Sequence, residues 1–267
     1  MNTTPSRVVR PILLSGAFVT SLVVVALVSF TGVGWVHAVG LAALLSLLPT
    51  VAVAQVPLVR GVEVPRLAAY ASSAGTLLVL AVASAVLVTW PGGPGFAFGV
   101  PPWATLAGWT VALAGAGLVV TLGFKWASMR LGLGEDPILR ALIPRSRPEK
   151  WAFAGLSVCA GFGEEMAYRG YVLAMLVPLL GTAGAVAVSS LVFGVLHTYQ
   201  GPQGILRTAI IGAVMAGGYL ATGSLWPAIL AHLLFDILAG VFFADFLMVP
   251  DEAAGVSEAE EEHSAGV

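Results

Sequence analysis

The sequence predicts an all-α fold, a polytopic bundle of about eight transmembrane helices, and three observations carry that prediction. Of 267 residues, 58% are hydrophobic and only 10% charged, against about 25% charged in a soluble globular domain. Mean hydropathy is +0.94, and apolar runs recur at about the 20 residues that a bilayer requires. Basic residues gather in alternate connections between those runs, as membrane topology demands. The single Cys159 excludes both a disulfide framework and a thiolate metal cage. A net charge of −2 carries no information as a total; its distribution does.

The spans read as 11–31, 35–56, 67–90, 103–124, 151–180, 183–199, 204–222 and 226–248. Arg7 and Arg10 precede the first, and Val36-His37-Ala38 after it loosely matches a signal-peptidase site. The run is longer than a signal core, so an uncleaved span is expected. Arg60 and Arg66 lie between spans 2 and 3, and Lys125, Arg130, Arg140, Arg145, Arg147 and Lys150 lie between spans 4 and 5. The alternate connections, Pro91 to Pro102 and Gly181-Thr182, carry no basic residue. Both termini are therefore expected in the cytoplasm of a protein integral to the cell (inner) membrane, and eight is the even number that this orientation needs. The chain divides into a four-span region 1–124, a basic cytoplasmic loop 125–150, a four-span core 151–248 and a disordered acidic tail 249–267 containing Glu258 and Glu260-Glu261-Glu262.

The two halves differ in what they bury. Spans 1 to 4 hold almost nothing ionisable except His37, which beside Trp35 reads as a wetted interfacial residue. Spans 5 to 8 hold Glu164, Glu165, Arg169, His197, Arg207, His232, Asp236 and Asp245. A charge at bilayer depth costs about 2.5–3.5 kcal/mol or more, so chemistry is expected in this half. Glu165 and Arg169, four residues apart with the acid first, share a helix face and can neutralise each other. Glu164 points about 100° away, free to face a cavity. His232 and Asp236 also share a face, so the carboxylate can fix the imidazole tautomer or join it in lining a site. Arg207 reads as snorkelling to headgroups, Asp245 as interfacial, and Ser224 as a helix cap.

Spacing excludes several intramembrane chemistries. There is no His-Glu-x-x-His zinc motif, and no Gly-x-Ser-Gly nucleophile lies near either histidine. Gly132-Leu-Gly-Glu135-Asp136 resembles an aspartyl-protease motif, but it lies in the basic loop without a partner aspartate on a preceding span.

Glu164-Glu165-x-x-x-Arg169, Phe193-x-x-x-His197 and His232-x-x-x-Asp236 occur in this order on three hydrophobic segments. Together they resemble the CPBP family, the CAAX prenyl protease and bacteriocin-processing membrane endopeptidases, or type II CAAX proteases. Gly212 through Leu225 and Pro227 is similar to the family's later motif regions. The resemblance covers roughly residues 150–240. It implies a helix bundle around a polar chamber open to lipid and cytosol, where a glutamate and a histidine activate water for attack on a peptide carbonyl. Carried over, Glu164 is the general base with His197, while His232 and Asp236 complete the site and hold the oxyanion. Glu165–Arg169 is then the structural pair. The partners implied are a peptide or prenyl-protein substrate and the lipid bilayer, with no nucleic acid.

Position 236 departs from the asparagine common in the family. Asparagine can donate to an oxyanion, whereas an ionised aspartate only accepts. Asp236 is therefore protonated, orients His232, or binds a metal. With both histidines neutral, Glu164, Glu165, Asp236 and Arg169 sum to −2, a charge costly to hold at low dielectric. A metal-free glutamate mechanism with no required cofactor is the leading reading. The alternative is Zn²⁺ held by Glu164, His197, His232 and Asp236. Span 5 is expected to begin with an interfacial stretch, bent at Gly155, Gly161 or Gly163, so that Glu164 reaches the depth of His197. Two other functions compete: a non-catalytic membrane scaffold or bacteriocin self-immunity protein of the same fold, and a proton-coupled transporter. The transporter is opposed by the lack of a repeated pair of broken spans.

Overall fold

The computed structural model describes residues 5–249, with side chains from residue 8, and all its regular structure is helical. The acidic tail, His263 included, lies outside the described residues. Helix α1 (Pro5–Thr31) leads through a Gly32 turn into α2 (Trp35–Ala42), which continues through a π-helical turn into α3 (Leu48–Val59). Next come α4 (Arg66–Thr89), α5 (Trp103–Leu131) and the short α6 (Pro137–Ala141). The second half holds α7 (Arg147–Glu165), α8 (Ala174–Leu196), α9 (Gly201–Thr222), α10 (Trp226–Ile237) and α11 (Ala244–Leu247).

Six stretches are long and apolar enough to cross a membrane: Val8–Thr31, Trp35–Val59, Arg66–Thr89, Trp103–Leu131, Arg147–Leu196 and Thr198–Thr222. Trp226–Phe242 is apolar but shorter. The eight segments expected from sequence reduce to this set because spans 5 and 6 run together, broken only at Gly181. That residue has φ 69° and ψ 167°, a conformation open to glycine and strained for any side chain. The protein is an integral membrane helical bundle.

Helix α7 starts where local chemistry dictates. Ser146 Oγ accepts from the Glu149 amide and the Glu149 carboxylate accepts from the Ser146 amide at 2.8 Å, a reciprocal cap. Its far end does not stop but passes into a π-helical stretch, Met166–Leu173, in which every residue is buried. Single π turns within α-helices mark functional sites more often than chance, and this one follows Glu164 and Glu165 directly.

Gly155, Gly161 and Gly163 lie within an unbroken α7, not at the expected bend, and Gly161 and Gly163 let neighbours approach. A Cβ on Gly163 would lie 2.6 Å from the Leu77 carbonyl oxygen of α4, and one on Gly161 would lie 3.0 Å from the Ile229 carbonyl of α10. Both contacts are with backbone, which cannot swing aside. Gly163→Ala is therefore expected to destabilise the fold by about 1–3 kcal/mol. Thermal unfolding of the detergent-solubilised protein checks this, and an unchanged midpoint would contradict the packing.

The connection 125–150 is more ordered than a loop. α5 runs on to Leu131, and Asp136 caps α6 by accepting from the Ile138 amide at 2.9 Å. Arg66 Nε donates to the Ala141 carbonyl (2.7 Å), Tyr70 Oη donates to Leu142 (2.7 Å), and Arg60 pairs with Asp136 (3.0 Å). The Pro91–Pro102 loop is likewise docked. Its Ala97 carbonyl accepts from the Leu225 amide (2.9 Å) and its Phe98 carbonyl from the Trp226 indole (3.1 Å), which seats the start of α10. Beside it the Trp226 amide donates to Ser224 Oγ at 3.3 Å, but Leu225 holds the N-cap position without a side-chain cap, so Ser224 braces the turn before α10 and does not cap the helix.

His37 corrects the reading of a wetted residue. It is buried, with Nδ1 3.1 Å from Tyr171 Oη and Nε2 3.1 Å from the Pro91 carbonyl. Two positions along a helix rotate a side chain by about 200°. Exposed Trp35 and buried His37 therefore face opposite ways.

Candidate active site

Three helices deliver the ionisable groups to one place. α7 packs on α10 and α4, and α8 packs on α9, so the end of α7, the end of α8 and the middle of α10 face a common space. That space is a cavity of about 830 Å³ lined by Glu164, Glu165, His197, Tyr199, His232 and Asp236, with Arg207 and Gln200 at its wall. All four residues expected to be catalytic thus line one cavity, although they come from helices up to 72 positions apart in sequence.

The Glu165–Arg169 pair is formed, and both partners are buried. Arg169 Nη1 donates to Glu165 Oε1 at 3.0 Å, with side-chain exposures of 1% and 0%. Nη2 donates to the Gly212 carbonyl of α9 at 2.9 Å, and the guanidinium lies 4.4 Å over the Phe193 ring of α8. One arginine thereby ties the π stretch to two neighbouring helices.

Glu165 does more than pair with arginine, and this second link had no signal in the sequence. Its Oε1 also accepts from His232 Nδ1 at 2.8 Å, 67 residues away. That bond fixes the imidazole: with Nδ1–H committed, Nε2 is the atom left to act. Nε2 lies 3.7 Å from Glu164 Oε2 and 3.7 Å from Asp236 Oδ2. Both separations exceed a direct hydrogen bond and lie within ion-pair reach. Oε2 of Glu164 and Oε2 of Glu165 are both buried without a hydrogen-bond partner among the described residues, an unusual condition for a buried carboxylate oxygen, and Glu165 is held through its other oxygen by Arg169 and His232.

His197 is held differently. Its Nδ1–H donates to the Phe193 carbonyl at 3.0 Å, the i−4 position of its own helix, so Nε2 is again the free ring atom. Its ring stacks near Phe193 at 4.9 Å and Tyr199 at 5.9 Å between centroids. Phe193 in turn sets the His232 ring edge-on at 6.3 Å, so the motif phenylalanine buttresses both histidines.

Arg207 does not snorkel. Its side chain is mostly buried, pairing with Glu135 at 3.5 Å and donating from Nη2 to Gln200 Oε1 at 3.1 Å. Asp245 is exposed and pairs with Arg145 at 3.0 Å. Among the described residues, no group of three or more His, Cys, Asp or Glu side chains is arranged to hold a metal ion. Glu165 engages His232 Nδ1, and the Phe193 carbonyl engages His197 Nδ1. A zinc ion would have to draw on the two Nε2 atoms with Glu164 and Asp236, a set not gathered into one coordination shell.

Comparison with curated proteins and with solved structures gives no match. Residues 146–238, from the serine that caps α7 to just past Asp236, contain every member of the cluster and match the family model of the type II CAAX prenyl endopeptidases, Rce1-like.

Proposed function

We propose that the protein is an intramembrane endopeptidase that hydrolyses a CAAX-type or related peptide bond with water activated by Glu164. The family match supports a CAAX-type membrane protease as a class and a peptide or protein as its substrate. The observation that carries the finer reading is Glu164 Oε2, a buried carboxylate oxygen without a hydrogen bond among the described residues, 3.7 Å from His232 Nε2, on a side chain that lines one cavity with His197, His232 and Asp236. A buried carboxylate oxygen without a partner, beside two histidines, is suited to take a proton.

In the proposed reaction Glu164 removes a proton from water as the water oxygen bonds to the scissile carbonyl carbon. The carbonyl π pair moves onto its oxygen, giving a tetrahedral oxyanion. Collapse re-forms the carbonyl and breaks the C–N bond, and the leaving nitrogen takes the proton from Glu164. His197 orients the water through Nε2, and Glu165 holds His232 beside Glu164 and Asp236. Arg169 neutralises Glu165, which leaves Glu164 as the proton acceptor. The basic end of the bundle, where Arg60, Arg66 and Arg145 cluster, is assigned to the cytoplasm of the cell (inner) membrane with both termini, so the substrate enters from that side.

The mechanism draws on no metal. The full chain in phospholipid nanodiscs is expected to cleave a farnesylated CAAX peptide. Its rate should change less than about twofold after 1,10-phenanthroline treatment and dialysis, because acid–base catalysis by a carboxylate requires no Lewis acid. Loss of activity on chelation with recovery on added Zn²⁺ would refute the metal-free mechanism in favour of ligation by the same residues.

A further inference from the structure

Asp236 leaves a gap in the chemistry. An oxyanion needs donors, and an ionised aspartate offers none. His232 donates through Nδ1 to Glu165, and its Nε2 faces two carboxylates. The other cavity hydroxyls with assigned bonds are committed to backbone carbonyls: Tyr70 to Leu142, Ser72 to Ala69, Thr76 to Ser72 and Thr121 to Gly117.

Tyr199 is different. It stands two residues beyond His197, in the 3₁₀ turn Thr198–Gln200 that links α8 to α9, and it lines the cavity. Its oxygen is an acceptor, taking a hydrogen bond from Gln200 Nε2 at 3.1 Å, so its own proton remains to be donated. The orientation of the Gln200 amide follows from the chemistry of Arg207. A guanidinium only donates, so the group 3.1 Å from Arg207 Nη2 is Oε1, and Nε2 must face the phenol. Arg207 is itself held by Glu135. The result is a directed chain, Arg207 to Gln200 to Tyr199, beginning at a full positive charge and ending at an O–H in the cavity. Successive bonds in such a chain polarise one another, strengthening the final donor. Tyr199 lines the same cavity as Glu164, His197, His232 and Asp236.

We propose that Tyr199 is a catalytic residue that donates its hydroxyl proton as a hydrogen bond to the carbonyl oxygen of the scissile peptide, with Gln200 and Arg207 as its positioning residues. This rests on the endopeptidase reading above. The proton is shared and not transferred: it strengthens its bond as the carbonyl π pair moves onto oxygen and relaxes when the C–N bond breaks.

The test uses the full chain in nanodiscs, a farnesylated CAAX peptide, and the same peptide ending in an aldehyde, whose hydrate mimics the tetrahedral species. Tyr199→Phe is expected to lower kcat by about 10²-fold, the loss typical of one oxyanion donor, with KM changed less than about twofold. Affinity for the aldehyde should fall by a similar factor while affinity for the uncleaved peptide holds. Gln200→Leu should lower kcat in the wild type but add little in the Tyr199→Phe background, because it acts through the phenol. A kcat for Tyr199→Phe within about threefold of wild type, with Glu164→Gln inactive, overturns this proposal and leaves the endopeptidase reading standing. A full additional loss from Gln200→Leu in the Tyr199→Phe background overturns the relay. A wild-type protein that neither cleaves the peptide nor prefers the aldehyde overturns both together.

Discussion

Glu164→Gln is expected to lower peptide cleavage by about 10³-fold or more, within the upper part of the range for loss of a general base, while the protein stays folded and gains stability. The two halves of this expectation share one cause. Gln keeps the size and the hydrogen-bonding reach of Glu but cannot take a proton from water. Glu164 Oε2 is buried without a hydrogen bond among the described residues, and its side chain shares a small volume with Glu165 and Asp236 around one imidazole. Holding a third carboxylate there costs desolvation and like-charge repulsion. Removing the charge relieves both. Kinetics on the farnesylated peptide and thermal unfolding in detergent read the two effects separately. Retained activity would remove Glu164 from the chemistry, and a large drop in stability would show that its charge is structural.

What the sequence made legible was local. Apolar runs of bilayer length marked every long helix, and Gly181-Thr182 marked the one break inside a continuous stretch. The four-residue spacing of Glu165 and Arg169 gave their pairing, because i and i+4 positions touch whatever surrounds the helix. The rest depends on how helices are turned against each other, and a single sequence carries no periodic signature of that. The His232–Glu165 bond joins positions 67 apart. Arg207 lies near a helix end, where composition favours snorkelling, yet the rotation of α9 turns it inward to Gln200 and Glu135. The π stretch Met166–Leu173 shifts the helical phase just past the glutamates, so an ideal 100° step per residue cannot place the side chains that follow it. His37 was misread for the same reason: its neighbour Trp35 is exposed, but its own face is buried against Tyr171.

The position of Asp236 also has a clearer meaning than spacing alone supplied. Four residues from His232, it could have held the imidazole tautomer. In the structure Glu165 does that at 2.8 Å, and Asp236 approaches the opposite ring nitrogen at 3.7 Å. Two carboxylates therefore face His232 Nε2, each at 3.7 Å. This arrangement keeps the imidazole between fixed acceptors, and in the proposal above the oxyanion takes its hydrogen bond from Tyr199 on another element.

Arg169→Met is expected to cost about 3–5 kcal/mol of stability, the range for removing one partner of a buried ion pair, and to be the most destabilising single change in the site. The guanidinium is 1% exposed and makes three different contacts, to Glu165 Oε1, to the Gly212 carbonyl and to the face of Phe193. Met fills much of the volume and restores none of the charge, so Glu165 is left ionised, fully buried and unmatched by arginine. Arg169→Lys should fall between the two, because one ammonium cannot reproduce the planar fork that reaches α7 and α9 at once. The combination Arg169→Met with Glu165→Gln should recover a large part of the loss, since the cost lies mainly in the orphaned charge. Activity should recover less. A neutral amide oxygen can still accept from His232 Nδ1, but without the charge-assisted bond that fixes the ring beside Glu164. Unfolding of wild type, Arg169→Met, Glu165→Gln and the double variant in a graded SDS–detergent series gives the coupling energy. An Arg169→Met midpoint within about 1 kcal/mol of wild type would show that the buried pair does not brace the site.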